Sequence, residues 1–330
     1  MFTLCARLRE LKPELHPFWE EGASYTFKDR ASNFFFRTEE EVISSLLEPR
    51  LNSDTLILNL GSGNPQRLID FLITKRSRHY LVNLDISSRV IKRADEYCER
   101  SGFQQDNGVF SKHALYVDNI RADVLSLPKL KNLSKLRNEI RNEYPRIFIL
   151  ALNCLHNLYA PEDEGLTSTS QVINFFRFGD AFFTTMLSFN SVRDRLAFYQ
   201  RHIEPAELVQ LRMVYSSHEN RLFYGLKIEK KLQDIFNGTE QDITRLISGK
   251  IESGDAKGVI IDFLTADCQH TGYRTLLVTP IFTRYLFQKN VPEFEIDLCG
   301  YPENEIPPSP VLFPVGGKSR DDNAEQIIQQ

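Results

Sequence analysis

Apolar residues along this chain fall into two alternating rhythms. Short, nearly unbroken apolar runs recur at 55–60 (TLILNL), 79–87 (HYLVNLDIS), 113–120 (HALYVDNI), 146–153 (RIFILALN) and 180–189 (DAFFTTMLSF). Runs of this length suit strands buried on both faces. Between them the spacing changes to that of helices. Pro65–Thr74 suits one, and over 87–102 Val90, Ile91, Ala94 and Tyr97 share one helical face. Ser87 and Ser88 supply an N-cap for that helix, and Gly102 can close its C-terminus. The alternation predicts an α/β fold: a doubly wound, mostly parallel, Rossmann-like sheet with helices on both faces.

Elsewhere the rhythm differs. Residues 1–50 read as a helical, aromatic-rich segment, with Ser32 or Asn33 starting a helix that runs to Leu47. The core is expected at 51–190 and 271–315. Residues 191–270 interrupt it as an inserted cap with a helical part (193–214), a strand-like part (221–232) and a polar stretch near 237–257. The run YRTLLVTPIF (273–282) is expected to resume the main sheet, with a short helix after it. The chain from Pro302 to Pro314 reads as extended, and 316–330 as a frayed tail.

Composition narrows the function classes. At 330 residues, 42% hydrophobic and 25% charged, with a net charge of -4, the chain offers no electrostatic grip on nucleic acid or an anionic membrane. No apolar run reaches the ~18 residues of a membrane span, and the N-terminus lacks a secretory h-region. The five cysteines are scattered without a C-x-x-C pair, which fits a reducing, cytoplasmic setting. The histidines form neither H-x-x-H nor H-E-x-x-H, so no metal site is expected. These features argue against nucleic-acid and membrane partners, are compatible with a small-molecule substrate, and say nothing of oligomeric state.

The chemistry concentrates where the first strand meets its helix, at LILNLGSGNPQRLIDFL (56–72). Gly61 and Gly63 allow a sharp turn and a close backbone approach to a ligand. Asp85 ends the second strand, where a carboxylate can accept hydrogen bonds from both hydroxyls of a ribose. A plainer reading makes the glycines a simple turn and Asp85 a cap for the next helix. The dinucleotide fingerprint G-x-G-x-x-G fails because position 66 is Gln, and the Lys-Ser/Thr pair of a phosphate loop is missing.

LNLGSG followed by VNLDIS resembles motifs I and II of class I S-adenosylmethionine-dependent methyltransferases. The order FWEEGASYTFKDRASNFFFRTEEEVI, LNLGSGNPQRLIDFL, HYLVNLDIS, RIFILALNCLHNL and FFTTMLSF…RLAFYQ is similar to the histidine-specific methyltransferase family, which includes the ergothioneine-type and dimethylallyltryptophan N-methyltransferases. That resemblance implies S-adenosyl-L-methionine as cofactor and an N-terminal segment lying over the active site. It places Gly61, Ser62 and Gly63 at the methionine end, Asp85 with Ile86 beside the ribose, Asn157 after the fourth strand, and Tyr199 in the helix after the fifth. Either Asp118 or Asp123 would meet the adenine.

The departures are informative. Asn59 replaces an acidic residue two before Gly61, and Leu152 and His156 replace two loop glycines. The family's tyrosines fall on Phe18 and Phe35, its substrate-holding asparagine on Gln210, and its glutamate and serine on Pro280 and Phe282. A histidine substrate needs those polar partners, since an unpaired buried polar group costs about 1–3 kcal/mol. The expectation is therefore N-methylation of an amino-acid-derived amine other than histidine, in an aromatic pocket. Tyr199 and His156 are the candidates to take the amine's proton. Two other readings use the same fold: a non-catalytic relative that only binds, and an aminocarboxypropyl transferase using the same cofactor.

Overall fold

The computed structural model describes residues 2–11, 13, 39–152, 154–155, 167–187, 208–217, 225–228, 256–265, 271–278, 280–298 and 312–320. The N-terminal helix α1 is Phe2–Glu10, and a π-helical and a 3-10 turn follow at Val42–Leu47 and Glu48–Arg50. Then come β1 (Thr55–Leu60), α2 (Gln66–Ile73), β2 (His79–Asp85) and α3 (Ser88–Arg100). A hairpin of β3 (Gln104–Asp106) and β4 (Val109–Lys112) leads to β5 (Leu115–Arg121), α4 (Leu133–Arg141), β6 (Arg146–Ala151), α5 (Thr167–Phe175) and β7 (Ala181–Leu187). The later elements are β8 (Leu208–Ser217), β9 (Gly225–Ile228), β10 (Ala256–Thr265), β11 (Thr271–Val278), α6 (Pro280–Asn290), β12 (Phe294–Asp297) and β13 (Leu312–Ser319).

The main sheet has nine strands in the order β12-β13-β7-β6-β1-β2-β5-β4-β3. The five central strands, β7-β6-β1-β2-β5, are parallel. β13 runs antiparallel between β7 and β12, and the β3–β4 hairpin extends the opposite edge. β1 and β2 are buried at every position, as expected of strands covered on both faces. One face carries Leu56, Leu58, Val82, Leu84, Ile120 and Ile149 in a core that includes Leu4 and Leu8 of α1. The other carries Ile57, Leu81, Val117, Phe148 and Leu150 with residues of α2 and α3. The expected α/β, doubly wound, mostly parallel sheet is therefore the observed one.

Two contacts show how tightly the layers fit. Phe182 stacks on Phe287 with ring centroids 5.1 Å apart, and its ring also lies over Gly317. A β-carbon at Gly317 would stand 2.2 Å from that ring, so β13 can run beside β7 only with glycine there. Asp180, fully buried before β7, accepts from Arg137 of α4 at 2.8 Å, from Arg141, and from the Ile147 amide at 2.8 Å. These bonds tie α4 and β6 to the start of β7.

Three expectations need correction. Leu208 to Val214, read as the end of a helical stretch, belongs instead to strand β8 (Leu208–Ser217). Its alternation, as in Leu211, Met213 and Tyr215, is the period of a strand. The run from Tyr273 does not rejoin the main sheet. It forms β11, antiparallel to β10 in a separate four-stranded sheet of order β11-β10-β8-β9, and Pro280 begins α6, a position suited to a residue without an N–H. The tail expected from 316 is ordered at its start, because Gly316, Gly317 and Lys318 pair with Phe183, Phe182 and Ala181. The β3–β4 hairpin was not anticipated, although Asn107 and Gly108, with φ of 50° and 80°, form the Asn-Gly turn that such hairpins favour. The helix start at Ser32 or Asn33 lies outside the described residues.

Candidate functional site

The parallel strands point their carboxyl ends to one edge, where ligands of open α/β sheets bind. Three segments meet there: the loop after β1, the end of β2, and the turn after β5. Gly61 and Gly63 have φ of 60° and 51°, the left-handed region that glycine enters without strain. The Ser62 amide donates to the Leu84 carbonyl at 2.9 Å, which anchors the loop to β2. Gly61 also has a steric requirement. A β-carbon there would lie 2.6 Å from the Cys154 Cβ, so Cys154, three residues beyond β6, fills the space a side chain would need. The buried Cys154 thiol donates to the Leu60 carbonyl at 3.0 Å. Burial, and then the nearby Asp85 charge, push this thiol far up, so it remains a protonated packing group.

Asp85 serves both the glycine loop and the next helix. Its Oδ2 accepts from the Gly63 amide at 3.0 Å and its Oδ1 from the Ser87 amide at 2.9 Å. Ser87 in turn caps α3 by accepting from the Val90 amide. The plainer capping reading of Asp85 is thus met, and the same bonds hold the carboxylate at the strand edge. Two features leave this cradle open to a ligand. The Ser62 Oγ is buried without a hydrogen-bond partner, and nothing lies within 4 Å of where a Gly63 β-carbon would be.

The two acids left open for adenine separate clearly. Asp118 is level with Val82 in the middle of the sheet, whereas Asp85 is level with Arg121. It is fully buried beneath α1 and bonds Arg9 at 2.6 Å. Burial raises its pKa, and the Arg9 guanidinium opposes that rise. Asp118 therefore does not reach the strand edge. Asp123 follows β5 there, and it accepts from the Leu125 amide at 2.9 Å and from Ser126 Oγ at 3.3 Å. The Ala122 amide donates to the Asp85 carbonyl at 3.0 Å, so this turn and Asp85 adjoin.

Ile86 is half-buried beside them, and its carbonyl accepts from the Arg121 side chain at 3.1 Å. Leu152 packs against the core on the α2 side of the sheet. Phe18, Phe35, His156, Asn157 and Tyr199 lie outside the described residues. The backbone of Gln210, in β8, pairs with that of Leu264 in β10, and Phe282 lies in the first turn of α6. Sequence reasoning missed Cys154 as the partner of Gly61. It also missed a row of asparagines beneath the loop, although Asn59, Asn83 and Asn119 each interrupt a buried apolar strand.

No family model matches this chain, and no curated protein matches it. Solved structures do show a remote likeness. The PH0226 protein from Pyrococcus horikoshii is 14% identical, covers 93% of this chain and 100% of its own, and superposes with a TM-score of 0.45. The small RNA methyltransferase HEN1 is 9% identical over 86% of this chain and 26% of its own, at 0.42. The citrinin polyketide synthase CMeT domain is 16% identical over 47% and 35%, at 0.31. Likenesses this remote assign no activity, so the functional reading rests on the chain's own strand order and edge residues. Among the described residues no helix is long and apolar enough to cross a membrane.

Proposed function

We propose that the chain is an S-adenosylmethionine-dependent methyltransferase acting on a small molecule, an amino-acid-derived amine other than histidine. The observation that carries this reading is the strand edge itself: a glycine loop after β1, a carboxylate closing β2, and a second carboxylate in the turn after β5, all on one side of a parallel sheet. The reversed strand β13 also departs from the dinucleotide fold, whose common sheet runs in the order 3-2-1-4-5-6. With Gln66 in place of the third glycine, a nicotinamide cofactor is disfavoured.

The residues present fit the cofactor. Gly61, Ser62 and Gly63 would take its methionine end, with the unpartnered Ser62 Oγ and the open space at Gly63 as the local signs of a fit. Asp85, beside Ile86, would accept from the ribose hydroxyls, and Asp123 rather than Asp118 would meet the adenine. When bound, the cofactor supplies an electrophilic methyl group on a sulfonium. The protein's share is alignment and exclusion of water, together with a group to hold or take the amine's proton. Tyr199 and His156 are the candidates for that proton, with Asn157 beside the cofactor. Phe18, Phe35, Gln210 and Phe282 would line the acceptor pocket, and the sheet β8–β11 would lie on the acceptor side.

The test is calorimetric titration with S-adenosylmethionine and S-adenosylhomocysteine, with Asp85→Ala as control. Micromolar binding, about -8 kcal/mol, that is lost in the variant is the expected outcome. Absence of binding by the wild type sinks the reading.

A further inference from the structure

Beneath the strand edge, one layer down, runs a continuous row of side-chain amides. Asn59, Asn83 and Asn119 are register partners on β1, β2 and β5. Asn59 Nδ2 donates to Asn83 Oδ1 at 2.9 Å, Asn83 Nδ2 to Asn119 Oδ1 at 2.8 Å, and Asn119 Nδ2 to Asp95 Oδ1 at 2.7 Å. Asn83 is fully buried and Asn59 nearly so. Three polar side chains in core strands covered on both faces are costly unless satisfied, and these are satisfied by one another in a single direction. The direction is set at the far end. An ionised carboxylate only accepts, so Asp95 obliges Asn119 to turn its amide nitrogen outward, and each asparagine behind follows.

The row stands two residues before Gly61, Asp85 and Arg121, on the same face of each strand. It is therefore a tie-bar across the three strand ends that form the edge. It also closes a ring. Asp85 accepts from the amide of Ser87 at the start of α3, and α3 carries Asp95, whose relay returns to Asn83, two residues before Asp85.

We propose that Asp95, remote from the edge itself, is a positioning residue: through Asn119 and Asn83 it holds the Asp85 carboxylate where it meets the glycine loop and the ribose of the cofactor. The ligand half of this inference rests on the proposed function, whereas the geometric half does not.

The experiment compares wild type, Asp95→Ala and Asp95→Asn by amide hydrogen exchange and by titration with S-adenosylhomocysteine. Asp95 is half-buried on a helix, so both variants are expected to fold. In Asp95→Ala, exchange at the Gly63 and Ser87 amides, both bonded to Asp85, should quicken at least tenfold while Ile149 in β6 is unchanged. Affinity should fall about tenfold. Asp95→Asn keeps an acceptor oxygen for Asn119 and should restore both readouts to within about threefold. Wild-type exchange at Gly63 and Ser87 in Asp95→Ala overturns the proposal, as does a uniform quickening that includes Ile149. If the wild type binds no S-adenosylhomocysteine, the functional reading falls and the exchange pattern alone decides the relay.

Discussion

His79 offers a sharp test of how this core responds to acid. It begins β2, level with Thr55 and Leu115, and is fully buried, with no hydrogen-bond partner at either ring nitrogen. Burial lowers its pKa from 6.5 to about 4; Asp54 opposes the shift and Lys75 adds to it. The folded protein thus keeps the ring neutral where the unfolded chain would take up a proton. Between pH 6.5 and 4 the unfolded state binds more protons, so stability is full above that window and is lost as the pH falls through it. From these two values the loss between pH 7.5 and pH 5 is about 2 kcal/mol. His79→Leu, similar in volume and without a titrating group, should remove that loss. It should also cost nothing at pH 7.5, because two unpaired polar atoms leave the core. Urea unfolding of both proteins at the two pH values checks this. Asp95 and Asp118, both raised by burial, push the opposite way, but they are common to both proteins and cancel. If wild type and His79→Leu lose stability in parallel, the ring is not buried and neutral as described.

Two further predictions concern packing and charge. Gly317→Ala places a methyl group against the Phe182 ring and should destabilise the fold by about 1–3 kcal/mol in urea unfolding, with no change in any ligand affinity measured on the folded fraction. Arg9→Ala strands the buried Asp118 carboxylate. Because Arg9 is 45% exposed and water can partly replace it, the cost should be about 2 kcal/mol rather than the larger figure for a fully buried pair. The double variant with Asp118→Leu should regain most of it, as read by the same unfolding assay.

The parts of the chain that could be read in advance are those where pattern and burial agree. The parallel strands are mostly apolar because both of their faces are covered, and the cap at Ser87 and the left-handed Gly61 and Gly63 are written in residue types that suit those positions. Reading failed where the same residue types serve two geometries. Leu208–Ser217 carries enough Leu, Val and Arg for either a helix or a strand, and its pairing with β10 across the sheet decides for the strand. Asp118 and Asp123 stand close together in sequence, yet one is mid-strand and the other beyond the strand end. Only the register with β2, Val82 against Asp118 and Asp85 against Arg121, tells them apart. Cys154 could not have been assigned to Gly61 from sequence, because the contact depends on how deeply the loop after β6 sits against the loop after β1.

The placement of β13 bears on how the chain is assembled as it leaves the ribosome. β7 emerges with one side unfilled, since the partner of Leu187 is Leu312, and all of β8–β11 and α6 must be synthesised in between. β12 is also made before its neighbour, and its backbone pairs with the sheet only through β13. Until Ser319 is translated, the nascent protein therefore exposes the backbone edge of β7, a surface suited to holding by a chaperone and prone to pairing with another nascent chain.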